Sequence, residues 1–435
     1  MMRITFLVPE FYPDFSAVGY CAYQVQKCLT DEFDVSVISF RHGQTQPLEE
    51  RLDTIHVHRI ETHYMRARAQ ALAASGPMAR ARLMSLRLKG ALRRLLYPET
   101  IDEPLVRAYQ ARLEKMAPRP DVIVPVVFPF ETVLAALAFK RAYPEVKVIP
   151  YLFDDFVDSG SLHVLKLARA LKRGRHLRLE SRMLEDADAV LSMHPLRAHF
   201  EHYFPTRMHK KVTYLEHPLL VKPAAARVPR HDDGVTRLCY TGALIKKVRD
   251  PSYLRALLRA MRPRQTVQAD FYVMGDAAAK IPTQTGGGSV RIINHGRVPK
   301  PEADAAVRNA DILINIGDAQ GKQVSSKVFE YMATGKPIIH FAFVEKDTVS
   351  IILEKYPLAL CITQTRRLFD GNVRRVEKFI SERRSNEIPF DDVKAIYPEA
   401  LPETTGKILS ALISYGAQIP EAEYNKRSVG DSNER

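Results

Sequence analysis

The densest set of chemically useful side chains lies in one run, Val324-Ser325-Ser326-Lys327-Val328-Phe329-Glu330-Tyr331-Met332-Ala333-Thr334-Gly335-Lys336-Pro337, just after the strand-like residues 311–316. Ser325 and Ser326 are good N-cap residues, and Gly335 followed by Pro337 supplies a stop, so the spacing predicts a short helix over about 326–334. Free N–H groups and the positive end of the dipole at its start would favour a diphosphate, with Lys327 adding a cation. Glu330, one turn further on, lies on the same face, where a carboxylate can accept hydrogen bonds from two ribose hydroxyls. The residues alone fit equally well an ordinary strand, loop and capped helix with a solvated Lys-Glu pair.

The same run, continued through Ile338 and Ile339, resembles the nucleotide-sugar site of GT-B glycosyltransferases. The match is to the retaining family-4-like enzymes of polysaccharide synthesis (glycosyl transferases group 1), whose pattern is roughly Pro-Ser-Lys-x-Phe-Glu-Tyr-x-x-x-Gly-Lys-Pro-Ile-Ile. The resemblance implies that Ser325, Ser326 and Lys327 hold the donor phosphates and that Glu330 holds the ribose. One place departs from the family: many relatives carry an earlier glutamate where this chain has Lys322.

Other positions follow from the resemblance. The stretch Leu238-Cys239-Tyr240-Thr241-Gly242 ends a strand in a glycine turn, and the family usually has an arginine directly after it; here that place is Ala243. Arg249, in an Arg-Asp-Pro arrangement, is the substitute expected on the diphosphate, since a planar guanidinium suits bidentate phosphate contact, with Lys246 or Lys247 in support. A solvated basic loop accounts for either lysine just as well. Gly275 and the Asn294-His295-Gly296-Arg297-Val298 stretch correspond to cleft loops, the backbone around Arg297 and Val298 being expected at the base. His295 is read as structural or base-side rather than as a catalytic base. In the first half, Gly19 matches the small-residue loop that brings acceptor to donor phosphate. Asp154 and Asp155, at a strand's carboxyl end, could orient acceptor hydroxyls or serve a turn. His194 and His217 read as turn residues first and acceptor contacts second. The catalytic set expected is Arg249, Lys327 and Asp155.

These residues need a scaffold of parallel strands. Short apolar runs alternate with helical patterns along nearly the whole chain, the mark of α/β architecture. Strands are expected at 4–8, 35–39, 55–60, 122–126, 146–151, 189–193 and 212–214, then at 236–240, 269–274, 290–294, 311–316, 337–341 and 359–362. Two doubly wound Rossmann-like domains are implied: an acceptor-side domain at 1–220 and a nucleotide-sugar-binding domain at 235–400, joined by a polar linker at 221–234. A helix at 401–418 is expected to cross back to the first domain, followed by a disordered tail at 419–435. Ligands of such sheets bind beyond the carboxyl ends of the strands, so the GT-B architecture predicts a site in the cleft between two facing domains. Gly286-Gly287-Gly288 reads as a flexible loop, since it neither opens a helix nor forms a dinucleotide pattern.

Bulk properties narrow the partners. The chain has 435 residues, 46% hydrophobic and 26% charged, within the range of globular proteins with room for two cores. No run is long and apolar enough to span a bilayer and no signal-peptide pattern precedes residue 4, so a cytoplasmic protein is expected. Its four cysteines lack metal-ligand spacing. A net charge of +14 calls for anionic partners. Much of that charge lies at 78–96 and 163–182, where Lys and Arg interleave with Leu. Such helices suit an anionic bilayer, with Leu83, Leu86 and Leu95 inward and Arg82, Arg87, Lys89, Arg93 and Arg94 toward headgroups, or equally a solvated basic face on the domain core.

The function implied is glycosyl transfer from a nucleoside-diphosphate sugar to an acceptor hydroxyl in exopolysaccharide, capsule or related glycan synthesis. Retention of configuration, no metal and no cofactor are expected. The partners expected are the donor, a glycan or lipid-linked glycan acceptor, and an anionic membrane surface at the inner face of the cell membrane, with no nucleic acid. A GT-B nucleotide-sugar epimerase and a non-catalytic basic binding protein are the alternatives; the first would need acid/base carboxylates near the sugar.

Overall fold

The computed structural model describes residues 1–13, 15–43, 45–96, 101–157, 166–223, 233–285 and 288–416. The chain divides into two units, Met1–Pro218 together with the stretch from Pro402 onward, and Leu219–Leu401.

The first unit is built on strands β1 (Met2–Leu7), β2 (Phe33–Phe40), β3 (Glu49–Leu52), β4 (Ile55–Ile60), β5 (Val122–Val127), β6 (Lys147–Val148), β7 (Tyr151–Leu152), β8 (Val190–Met193) and β9 (Val212–Leu215), in the order β3-β4-β2-β1-β5-β7-β8-β9 with β6 beside β5. All pairs are parallel except β3 with β4. Sequence reading missed β3, whose Glu-Glu-Arg-Leu carries neither β-branched residues nor alternation. A tight turn with Asp53 at φ 53° folds it onto β4 as an edge hairpin. The single strand expected at 146–151 is two short pieces, because Pro150 interrupts the run and has no N–H for the ladder.

The second unit contains β10 (Val235–Ala243), β11 (Thr266–Met274), β12 (Val290–Asn294), β13 (Ile312–Ile316), β14 (Ile338–Ala342) and β15 (Ala359–Thr363), all parallel in the order β12-β11-β10-β13-β14-β15. Every residue of β13 and β14 is buried, as expected for central strands covered on both faces. The order steps outward in both directions from β10 and β13, so the loops after these two strands diverge and leave a crevice at their carboxyl ends.

Helix Pro402–Tyr415 packs in the first unit, where Ser410 Oγ donates to Glu32 Oε2 at 3.0 Å and Gly406 lies against Cys28. Of the two basic stretches, helix Lys166–Asp186 packs one face in the core, with Lys172, His176, Leu179, Glu180, Met183 and Leu184 buried, and leaves Arg175, Arg178 and Arg182 exposed. Burial lowers the Lys172 pKa, with Arg175 adding to the effect. Much of the linker, two glycines of the Gly286-Gly287-Gly288 loop, residues 163–165 and the tail at 419–435 lie outside the described residues.

Candidate active site

The helix predicted after β13 runs Lys327–Ala333. Ser326 occupies the N-cap position but differs from expectation: its backbone is already helical, at φ −51° and ψ −27°, and its side chain makes no capping hydrogen bond. A compact turn starts the helix instead, with Val328 N–H donating to the Ser325 carbonyl at 2.9 Å. Its seating comes from Tyr331, Gly335 and Lys336 of the same run. The Thr241 N–H donates to buried Tyr331 Oη at 2.9 Å, and the Thr241 hydroxyl lies 3.0 Å from the same oxygen, tying the helix to the carboxyl end of β10. Gly335, at φ 73°, is required because a Cβ would lie 2.0 Å from the Ile388 carbonyl oxygen. Lys336 Nζ donates to the carbonyls of Val307 and Ala310 at 3.1 and 2.6 Å, closing the end of helix Lys300–Asn309.

These anchors set the geometry of the charged groups. Glu330 Oε2 accepts from Lys327 Nζ at 3.0 Å and from Lys300 Nζ at 3.2 Å, with its side chain 20% exposed. Burial pushes the Glu330 carboxyl up, but Lys327 and Lys300 outweigh it and hold the pKa below the ordinary glutamate value. Glu330 is therefore an anion between two ammoniums. Lys300 had no signal in the sequence: it is thirty residues away and meets Glu330 only because its own helix starts beyond β12.

Arg249 is reached through the loop after β10. Its Nε is buried without a hydrogen-bond partner among the described residues, an orphan donor of the kind that an anion satisfies. Burial pushes the Tyr240 hydroxyl up to about 12, while the nearby Arg249 guanidinium opposes that rise. Val248 carbonyl accepts from Ala319 N–H at 2.8 Å, joining the Arg249 loop to the loop that leads into Ser325. Asp250 forms an ion pair with Lys280 and accepts from Ser252 N–H at 2.9 Å, so in the Arg-Asp-Pro arrangement the aspartate starts a helix.

The expected glycines sort differently. Gly242, at φ 148°, is the penultimate residue of β10, and a Cβ there would lie 3.5 Å from the Tyr240 hydroxyl. Gly275 is needed for close approach of two loops, since a Cβ there would lie 2.2 Å from the Leu244 carbonyl oxygen. Lys246 and Lys247 are exposed; the Lys246 N–H donates to Asp276 Oδ1 at 2.9 Å. Arg297 is exposed and Val298 half-buried on the turn after β12. His295 is held by Asp270, 2.8 Å from Nε2, and stacks on Tyr272 with ring centroids 4.3 Å apart.

Beneath the loop that leads to Lys327 is a buried polar unit that sequence reading did not find. His340 lies 2.9 Å from Asn315 through Nδ1 and 3.0 Å from Asp347 through Nε2. Burial raises the Asp347 carboxyl, but its bonds with His340 and Ser350 pull it below the ordinary value. Gly317 and Gly321 pass against this unit: a Cβ on Gly317 would lie 2.6 Å from Asp347 Oδ2, and Gly321, at φ 70°, packs on Val344 and Asp347. Asp318 then accepts from the N–H groups of Gln320 and Lys322, both at 3.2 Å. Lys322 is itself exposed. The loop is thus held from below, which fixes where Ser325, Ser326 and Lys327 begin.

No protein-family model matches the sequence, and no curated protein matches it. Solved structures do. The chain is similar to the sucrose-phosphate synthase of Thermosynechococcus elongatus, with a TM-score of 0.60 at 13% identity over 95% of this chain and 100% of that one. The E. coli trehalose-6-phosphate synthase, bound with UDP-2-fluoro glucose, gives 0.58 at 10% identity over 95% and 99%. Anabaena HepE, in complex with UDP-glucose, gives 0.55 at 11% identity over 95% and 100%.

The fold is GT-B.

In the first of the two GT-B domains, Gly19 is buried within helix Ala17–Lys27, and a Cβ there would lie 1.9 Å from the Glu10 carbonyl oxygen. Glycine is required there by the close approach of the protein's own backbone. Asp155 follows β7 and is not a lone carboxylate. His199 Nδ1 lies 3.8 Å from its Oδ2, and His199 Nε2 lies 2.7 Å from Oε2 of buried Glu180. Among the described residues, Asp155, Glu180 and His199 form the one group of such side chains close enough together to hold a metal ion, and it belongs to this domain. His217 is buried, and burial lowers its pKa to about 4, so it is neutral at physiological pH.

Proposed function

We propose that the chain is a glycosyltransferase that moves a sugar from a nucleoside diphosphate to an acceptor hydroxyl. The observation that carries this reading is the group at the carboxyl ends of β10, β12 and β13: anionic Glu330 between Lys327 and Lys300, with the orphan Nε of Arg249 on the adjoining loop. In the transfer, the bond from the anomeric carbon to the diphosphate oxygen breaks and one to the acceptor oxygen forms. The diphosphate leaves with an extra negative charge, which Lys327 and Arg249 stabilise. Ser325 and Ser326 present hydroxyls to the same phosphates, and Glu330 takes the ribose. A phosphate oxygen of the leaving group accepts the acceptor's proton, so no dedicated base is required and the configuration is retained. Cations replace the metal that would otherwise bridge the phosphates.

The acceptor in this reading is a glycan or a lipid-linked glycan of exopolysaccharide, capsule or related synthesis, reached from the cytoplasmic side of a membrane. Thermal unfolding of the purified chain against a panel of nucleoside diphosphates and their sugars tests the donor half of the proposal. One base should stabilise at concentrations well above its Kd by several kcal/mol, about 2.7 kcal/mol at a hundredfold excess. No stabilisation by any member of the panel would refute it.

A further inference from the structure

We infer that the exposed face of helix Pro77–Leu96 docks on an anionic lipid bilayer. The helix divides into rows at about 100° per residue. Ala79, Leu83, Leu86 and Gly90 form the half-buried row, and a Cβ on Gly90 would lie 3.5 Å from the hydroxyl of Tyr64 in helix His63–Ala73. Leu83 and Leu86, expected to point toward lipid, are therefore spent on the protein. A second apolar row is exposed: Met84, Leu88 and Leu92 at 65%, 60% and 46%, with Met78 at 87%. Arg80 and Arg87 flank this row on one side and Arg82 and Lys89 on the other.

A soluble helix places its apolar residues inward, so an apolar row facing outward with cations along both borders has the layout of an interfacial helix. Long basic side chains on the borders can extend to phosphate while the row between them enters the acyl boundary. Charge selects the occupant. From residue 62 to residue 97 the sequence holds no Asp or Glu, while Arg66, Arg68, Arg80, Arg82, Arg87, Lys89, Arg93 and Arg94 all fall in this stretch. Each cation near an anionic surface strengthens binding by about fivefold. No helix among the described residues is long and apolar enough to cross a membrane, so the attachment is peripheral. Among its described side chains, helix Lys166–Asp186 shows no equivalent row, Leu171 being the one exposed large apolar residue there.

The test is sedimentation of the full chain with vesicles of pure phosphatidylcholine and of phosphatidylcholine mixed with phosphatidylglycerol, without any sugar donor, so that its outcome is separate from that of the transfer reading. Binding is expected to the anionic vesicles, at least tenfold weaker to the neutral ones, and weakened by salt. The exposed double variant Met84→Ser with Leu88→Ser should weaken anionic-vesicle binding about tenfold or more at unchanged circular dichroism. The triple variant Arg82→Gln, Arg87→Gln and Lys89→Gln should do the same by removing charge. Equal and negligible binding to both vesicles would overturn the inference. So would undiminished binding by the Met84/Leu88 variant, or a concentration-dependent dimer that this variant abolishes, which would assign the row to a second copy of the chain.

Discussion

Replacing Glu330 with glutamine keeps the shape of the side chain and removes its charge, which separates the two things the carboxylate does. Toward a ribose it would accept two charge-assisted hydrogen bonds, and exchanging each for a neutral one costs about 1 kcal/mol. The sum of about 2 kcal/mol corresponds to roughly a 30-fold weaker Kd. Toward the protein it loses two ion pairs, to Lys327 at 3.0 Å and Lys300 at 3.2 Å. Both lysine side chains are about one-third exposed, so the loss of stability is only about 1 kcal/mol. Calorimetric titration with the preferred nucleoside diphosphate, and with its analogue lacking a ribose hydroxyl, closes a double-mutant cycle. Wild type should discriminate between the two ligands more strongly than Glu330→Gln, whose amide keeps only neutral hydrogen bonds. Equal discrimination by both proteins would remove Glu330 from the ribose. The pH dependence has a definite sign. The folded-state pKa lies below the ordinary value, so the stabilisation is fully present above the unfolded-state value of about 4.3 and is lost as pH falls through the folded value. Urea unfolding should show a constant gap between wild type and Glu330→Gln from neutrality down to about pH 5.5, closing on further acidification. A gap that widens in acid would refute the assignment.

Lys327→Ala and Arg249→Ala should each lower kcat more than they raise the donor Kd, because negative charge grows on the diphosphate as it leaves; steady-state kinetics showing a raised KM at unchanged kcat would make them binding residues. Transfer should persist in a strong chelator, and activity abolished by chelation and restored by magnesium or manganese would overturn the metal-independent step. Gly335→Ala should destabilise the fold by more than about 2 kcal/mol in urea unfolding, combining a left-handed backbone with a Cβ driven into the Ile388 carbonyl; near-wild-type stability would show that residues around 388 shift freely.

Strand positions were legible because a central parallel strand is covered on both faces and so is mostly apolar; Ile312–Ile316 and Ile338–Ala342 each hold a single polar residue, Asn315 and His340, which pair with each other. The hairpin strand Glu49–Leu52 was not, since an edge strand pairs through backbone and leaves its side chains in water. The Ser325–Glu330 group was legible for a related reason: hydroxyl, ammonium and carboxylate lie within two helical turns, where local geometry alone decides that they share a face. The capping role of Ser326 was not, because the chain enters the helix already coiled and dispenses with a side-chain cap.

By itself, then, the sequence determined the alternation of strands and helices, the place of the Lys327–Glu330 pair, and a concentration of cations without counterions at 62–97. All three depend on neighbours within a few residues. Only the tertiary structure decided which distant groups meet: Lys300 with Glu330, His340 with Asp347 beneath the loop, His199 with Asp155 and Glu180, and the Glu10 carbonyl in the space at Gly19. It also decided which leucines of helix Pro77–Leu96 face the protein and which face outward. The physical reason is the same in each case. Pairing across long separations follows from strand register and helix rotation, and a change of one residue in either sends a side chain to a different partner without altering the local pattern.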